Sequence, residues 1–353
     1  MKAPWRNPEP LAPAQGGPGP DQVALDEDET VDRGAASAGR ARLRNALNAL
    51  SVAAGLIILV VIFSFASPYF FTTTNIYRIF QQVAVVAVLT VGQSFVIFTA
   101  GIDLSQGPVV GLAAVFGASA MVTTHSIALG VLAGLAVGAG VGLVNGILIT
   151  KIKLVPFIAT LATLAIATGA ALIFTGGQPV FGIPSSFYSF GSNGVYVFPF
   201  IVMVAAVIAI VFQFFSTQTR SGRYIYAIGS NERAATIAGI RSSRVLIGVY
   251  ALSGLLSGVA GMLLVAYVNT GQPSQHTNLL LDAIAASVIG GASLFGGEGM
   301  IWGSMIGALL LAVLDNGTQL LGLSSYIQTI LLGVVVVIAV GIDNFRRKER
   351  VAA

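Results

Sequence analysis

No cysteine occurs anywhere in the 353 residues, which removes disulfide staples, thiolate metal sites and cysteine nucleophiles from consideration. Charge is scarce as well, at 9% of residues. Of the two histidines, His125 and His276 stand in separate loops with no second ligand nearby, so no metal site is expected. The apolar region carries no paired acid, base or metal constellation of the kind a membrane enzyme needs. Nor does the chain contain a Gly-x-x-x-x-Gly-Lys-Ser/Thr phosphate loop, so it is not expected to hydrolyse ATP itself. What fills the sequence is hydrophobicity: 55% of residues are hydrophobic, 42 are glycine, and the mean hydropathy is +0.86. Such a chain cannot fold as a water-soluble domain, and long apolar runs in lipid must satisfy their backbone internally, so the expected class is an all-α polytopic membrane protein.

Residues 1–44 are rich in Pro, Gly and acids without an apolar period, and are expected to form a disordered cytoplasmic tail with no secretory leader. Arg40, Arg42 and Arg44 precede the first apolar segment, and Arg346, Arg347, Lys348 and Arg350 follow the last. Positive charge stays inside, so both termini are expected in the cytoplasm and the number of crossings should be even. A span needs roughly 20 apolar residues. About ten segments satisfy this within a permease region at 45–343: 46–67, 79–99, 108–124, 127–150, 155–175, 195–215, 245–267, 281–296, 299–317 and 325–342. A short tail at 344–353 follows. Alternation from a cytoplasmic start puts Lys151, Lys153 and a polar loop at 216–244 inside, in agreement with their charge. The glycines at 296, 297 and 299 make the boundary between the eighth and ninth segments either a loop or the bend of a re-entrant unit.

Glycines four apart, at 134, 138 and 142, at 254 and 258, and at 303 and 307, predict closely packed helix backbones. Asn145-Gly146 ends an inward-running segment and Asn316-Gly317 an outward-running one, an echo of the kind an inverted repeat produces. Carboxylates inside the membrane cost on the order of 2.5 to 3.5 kcal/mol by insertion scales. Asp103, Asp282 and Asp315 therefore need a partner or an aqueous path. Asp103 sits in GIDLSQGP, where a broken helix is expected; it and Ser105 either contact a solute or cap the helix that begins near Pro108. Two further breaks, TGGQPV at 175–180 and TGQPSQHT at 270–277, face outward as turns or as receivers of a delivered ligand.

The one long polar interruption, RSGRYIYAIGSNERAATIAGIRSSR, runs from Arg220 to Arg244 with five arginines against Glu232. Within it, Ser230 as cap, Glu232 in the first turn and a stop at Gly239 predict a short helix. Displayed in the cytoplasm with Tyr224, Tyr226, Ile237 and Ile240 as apolar contacts, it would either dock in a groove of another protein or lie on anionic lipid.

Four blocks, GIDLSQGPVVGLAA, NGILITKIKLVPFIATLATLAIATGAALIFTGGQP, GRYIYAIGSNERAATIAGI and LDAIAASVIGGASLFGGEGMIWGSMIGALLLAVLDNG, together resemble the membrane-spanning permeases of bacterial ABC importers for monosaccharides, of the ribose, xylose, arabinose and galactose type. The resemblance implies a permease homodimer, or a pair with a similar permease, in the bacterial inner membrane. Two cytoplasmic ATP-binding subunits that use ATP and Mg, and a soluble sugar-binding protein outside, would complete the importer. No cofactor bound by this chain is implied, and no nucleic acid. The resemblance makes the short helix a coupling helix seated in the ATPase, with Arg223, Tyr224, Gly229, Ser230, Asn231, Glu232, Arg233, Ala234, Ala235 and Gly239 as its residues. Asp103, Ser105, Asn145, Thr160, Thr163, Gln178, Gln272, Asp282 and Asn316 are the candidates for the translocation path. Relatives often carry an acid where this chain has Leu280. The rival mechanism is a secondary transporter driven by an ion gradient, which would use the intramembrane carboxylates as carriers.

Overall fold

The computed structural model describes residues 52–274 and 277–352. The expected N-terminal tail, with Arg40, Arg42 and Arg44, lies outside the described residues. Among the described residues the architecture is helical apart from one small hairpin and one isolated bridge. In order come α1 (Val52–Ala66), α2 (Thr73–Phe98), α3 (Gln106–Thr124), α4 (Ile127–Thr150), α5 (Pro156–Thr175), α6 (Ser185–Ser192), the hairpin β1 (Gly194–Val195) and β2 (Phe198–Pro199), α7 (Phe200–Gln218), α8 (Arg220–Ser230), α9 (Glu232–Ile237), α10 (Ser242–Val268), α11 (Thr277–Ile289), α12 (Ile301–Leu320) and α13 (Ser325–Ala352). Seven of these are long and apolar enough to cross a membrane, namely α2, α3, α4, α5, α7, α10 and α12. Shorter apolar helices occupy the other three expected segments, at Val52–Ala66, Asn278–Ile289 and Tyr326–Val335.

Helix α2 is the centre of the bundle. Every residue from Val83 to Phe98 is buried, and α2 packs against α7, α10, α11 and α12. A helix apolar all round is stable only where other helices surround it or lipid does, and here other helices do. By contrast α4, α5 and α7 expose broad apolar faces, with Leu132, Ile166 and Val207 outward, as lipid requires. Thr72 caps α2 by accepting from the Asn75 N–H. Pro156 begins α5, where its missing N–H costs nothing.

The glycine spacing acts as expected. A Cβ on Gly138 would lie 2.3 Å from the Gly254 carbonyl oxygen, and one on Gly142 would lie 2.2 Å from that of Tyr250. Only hydrogen at these positions lets α4 and α10 touch backbone to backbone. A Cβ on Gly303 would likewise sit 2.0 Å from the Gly290 oxygen where α12 meets the end of α11.

Several boundaries differ from the sequence expectation, among them the start of α2 at Thr73 instead of 79 and the end of α11 at Ile289 instead of 296. The segment expected at 195–215 starts only at Phe200, because residues 194–199 turn back as the hairpin, with Tyr196 at φ +60°. Before it, α6 is a helix that the apolar-run criterion passed over for its brevity. Residues 220–230 are helical rather than loop. The last helix runs on without a break through the stretch expected as a C-terminal tail.

The two Asn-Gly pairs do equivalent work at opposite ends. Asn145, near the end of α4, donates to Ser105 Oγ at 2.9 Å, at the start of α3. Asn316, near the end of α12, exchanges two amide hydrogen bonds of 2.9 Å with Asn75 at the start of α2. Each amide thus fastens the start of a neighbouring helix.

Candidate functional site

The polar interruption folds as two helices set at a sharp bend. Thr219, in extended conformation, caps α8 by accepting from the Gly222 N–H at 3.0 Å. Along α8 the buried positions are Gly222, Ile225, Ile228 and Gly229, while Arg220, Arg223 and Tyr224 are exposed. That three-to-four spacing gives one apolar stripe facing the bundle. Asn231 then adopts an extended backbone, ends α8, and caps α9 through Oδ1, which accepts from the Ala234 N–H at 3.0 Å.

The cap is therefore Asn231 and the helix starts at Glu232, one residue later than expected from Ser230. Ser230 instead closes α8, its hydroxyl donating to the Tyr226 carbonyl. Helix α9 ends as predicted: Ile240 N–H reaches back to the Ala235 carbonyl at 3.0 Å across Gly239, which stands at φ +87°, a conformation glycine adopts without strain. A hydrogen bond of 2.9 Å between Thr236 and Ser242 ties it to α10. On α9 only Ala235 is buried; Glu232, Arg233, Ala234 and Thr236 are exposed, and Ile237 is 89% exposed.

Tyr226 is not available for docking, contrary to expectation. Its ring stacks on Phe98 at the end of α2, centroids 5.0 Å apart, and its hydroxyl donates to the Gly299 carbonyl at 3.2 Å. Burial pushes the phenol up to about 12, against a smaller opposing effect of Ser216. Beside it, the Gly297 N–H donates to the Phe98 carbonyl at 2.9 Å. A Cβ on Gly229 would fall 1.8 Å from that same oxygen. The glycines at 296, 297 and 299 thus form a tight loop between α11 and α12, all at positive φ, and it interlocks with α8 and the last turn of α2.

A second constellation lies deeper. Asp103, 1% exposed, accepts at Oδ1 from the Ser105 N–H at 2.9 Å and the Ser105 hydroxyl at 2.6 Å, and at Oδ2 from Ser253 at 2.7 Å. Gln106 donates to Ser253 at 2.8 Å. On the other side Thr163 donates to Asn145 Oδ1 at 2.8 Å, Asn145 donates to Ser105, and Thr160 reaches the Ile102 carbonyl at 3.2 Å. The chain of bonds stitches the break between α2 and α3 to α4, α5 and α10. Three donors offset the desolvation of the carboxylate; neither Asp103 nor Ser105 caps α3 with its side chain, and the carboxylate instead closes a local turn onto Ser105 and braces it to α10.

The remaining path candidates lie elsewhere. Gln178 and Gln272 flank an isolated antiparallel bridge between Val180 and Gly271, with bonds of 2.8 and 2.9 Å, so the breaks at 175–180 and 270–277 pair with each other. Asp282 is 8% exposed and lines a separate cavity of about 190 Å³ with Gln81, Gln82, Tyr267 and Asp315. Asn316 is committed to Asn75. Leu280, at the position often acidic in relatives, is buried. Ser253, Gln106 and Gln81 were not singled out from sequence; a polar residue inside an apolar segment is the only signal each carries. Among the described residues no group of His, Cys, Asp or Glu could hold a metal ion.

Comparison with known proteins follows the same lines. Residues 75–340 match the family described as branched-chain amino acid transport system / permease component. The chain is 41% identical over 293 residues to the ribose import permease protein of Escherichia coli K12, covering 82% of this chain and 91% of the relative. It is 35% identical over 301 residues to the D-allose transport system permease protein of the same organism, covering 83% and 90%. It is 36% identical over 288 residues to the fructose import permease protein of Rhizobium meliloti, covering 79% and 80%. No solved structure matches.

Proposed function

This chain belongs to the family of bacterial ATP-binding-cassette import permeases, a multi-pass transport subunit and not an enzyme, and on that premise we propose that it forms the inner-membrane path for a monosaccharide. In this reading a soluble binding protein delivers the sugar outside, and a separate cytoplasmic subunit hydrolyses ATP with Mg. The ribose, D-allose and fructose named for its relatives set the substrate class.

The observation that carries the mechanism is the mounting of α9. It is a two-turn rod with all but Ala235 exposed, too short to persist alone, held at one end by the Asn231 cap and at the other by the Gly239 turn and the Thr236–Ser242 bond. Such a rod gains stability by seating in a partner's groove. Glu232 and Arg233 offer polar contacts there, Ala234 and Ile237 apolar ones, and Arg223 and Tyr224 stand exposed on α8. Movement imposed on α9 passes through Gly229 and Tyr226 to the end of α2, the core of the bundle.

Lys153 and α9 line one cavity, so the 151–155 loop and the arginine segment share one face. By the positive-inside rule we read that face as cytoplasmic, and an even number of crossings would put both termini on the same side. A second copy, or a similar permease, completes the importer. The import permeases among its relatives disfavour the ion-gradient alternative, and of its candidate carriers Asp103 spends its oxygens on three hydrogen bonds within the fold. The test is charge reversal, Glu232→Lys with Arg233→Glu, in the assembled importer, reading stimulation of ATPase activity by loaded binding protein. At least a tenfold loss is expected; full retention would refute the coupling role.

A further inference from the structure

Between α9 and the transmembrane bundle lies a cavity of about 480 Å³, within the range of roughly 300–1,000 Å³ usual for small-molecule sites. Its walls come from the link after α2 (Thr99–Gly101), the end of α4 and the following loop (Thr150, Lys153), the bend between α8 and α9 (Ser230–Glu232), and α10 (Ser243, Tyr250). All of these belong to one chain. Among its lining residues is Tyr250, 0% exposed, whose hydroxyl has no hydrogen-bond partner. A buried hydroxyl left without a partner costs on the order of 1–3 kcal/mol.

The lining selects a chemistry. Lys153 and Glu232 bring opposite charges to the same space, so an anion would meet the carboxylate and a cation the ammonium. An uncharged solute rich in hydroxyls meets neither penalty. The Asn231 amide, whose Oδ1 is committed to the cap, offers its N–H₂. The Thr99 and Thr150 hydroxyls donate to backbone carbonyls at 2.7 Å each and keep lone pairs to accept with. Tyr250 can donate or accept.

We propose that this cavity binds the transported sugar from the cytoplasmic side and restrains the importer when sugar has accumulated inside. A sugar seated here would bridge Asn231 and Glu232 at the head of α9 to Tyr250 and the α4–α5 loop, fixing the helix whose movement drives transport. Because a ligand shifts a conformational equilibrium only by its differential affinity, such a ligand favours the resting arrangement of α9. The inference rests on the reading of α9 as the coupling helix, while the binding itself does not.

The experiment uses the complete importer in liposomes with the ATPase subunits facing the bath and loaded binding protein inside. D-ribose, D-allose and D-fructose are added in turn to the bath while ATP hydrolysis is followed, and binding of the same radiolabelled sugars to the purified permease is measured by equilibrium dialysis. Tyr250→Phe keeps the ring and removes only the unpartnered hydroxyl. At least one sugar is expected to bind and to inhibit the native importer, with the half-inhibiting concentration at least tenfold higher in Y250F and uninhibited turnover equal. Ser243→Phe, which fills the cavity from its rim, should abolish both binding and inhibition. Absence of binding by all three sugars, or equal binding and inhibition in native and Y250F proteins, overturns the proposal. Binding that is lost in Y250F but never inhibits ATPase activity overturns the restraint. Failure of the coupling reading is told apart by its own signature: no stimulation by binding protein in the native importer, whatever the dialysis shows.

Discussion

The ring of Tyr226 lies stacked on that of Phe98 at 5.0 Å and 26°, so the arginine-rich segment is fastened to the most buried helix of the bundle through one aromatic pair. The hydroxyl beyond the ring bonds to Gly299, which brings a third element, the α11–α12 loop, into the same joint. Force applied to α8 and α9 therefore reaches both α2 and α12.

Removing the ring should loosen that joint. Tyr226→Ala is expected to cost about 3 kcal/mol from lost burial and stacking, and Tyr226→Phe about 1 kcal/mol from the single hydrogen bond. Thermal unfolding in detergent measures the first as a clear fall in Tm and the second as a small one. Stimulated ATPase activity should fall in Y226A well beyond the loss of folded protein.

The same residue predicts an alkaline limit. Its phenol is held at about 12 against an ordinary value of 10, so between these values the unfolded chain gives up the proton and the folded one keeps it. Stability then falls as pH rises from 10 to 12 and is unaffected by this group below 10. Y226F should be flatter over that window in a series of unfolding curves.

Asn231 caps α9 through its side-chain oxygen. Asn231→Ala should cost about 1 kcal/mol of local helix stability, while Asn231→Asp retains the acceptor. Amide hydrogen exchange over 232–238 should quicken in N231A and stay near native in N231D, with coupling to ATP hydrolysis following the same order.

The α4–α10 contact predicts a contrast among glycines. Gly138→Ala and Gly142→Ala place a Cβ 2.3 and 2.2 Å from backbone oxygens, and each should destabilise by about 1–3 kcal/mol through overpacking. Gly140 has nothing within 4 Å of the same position. Gly140→Ala should be neutral or slightly stabilising, by the helix propensity of alanine. Unfolding temperatures of the three variants side by side decide this.

Asn75 and Asn316 satisfy one another through two bonds. Asn316→Ala leaves the partner amide buried and short of bonds, at about 1–3 kcal/mol. The double variant with Asn75→Ala should cost clearly less than the sum of the two singles. A double-mutant cycle on thermal stability reads the difference directly, and additivity would show that the pair does not act as one unit.

Much of the bundle was legible from composition because lipid leaves few options. A chain this apolar must be helical where it crosses, a crossing has a minimum length, and arginine and lysine mark one side. The close contacts at the glycines of α4 and α10 followed from spacing alone, and so did the short helix ending at Gly239. Its starting residue did not: Ser230 and Asn231 are both good caps, and Asn231 takes the role because α8, itself unexpected, claims Ser230 for its last turn.

What the sequence by itself determined is the medium, the helical class, the approximate crossings and the one long polar segment between them, since each depends on local composition and periodicity. Which polar residues meet was decided only by tertiary structure. Asp103 finds Ser253 across 150 residues and Asn75 finds Asn316 across 241. Helix packing fixes such pairs by geometry, and no spacing along the chain records it. The candidates for a single path therefore separated into a buried brace, a pair of bridged loops and a distinct acidic cavity. Tyr226 turned inward for the same reason: its place in the sequence offers it to a partner, and the end of α2 lay nearer.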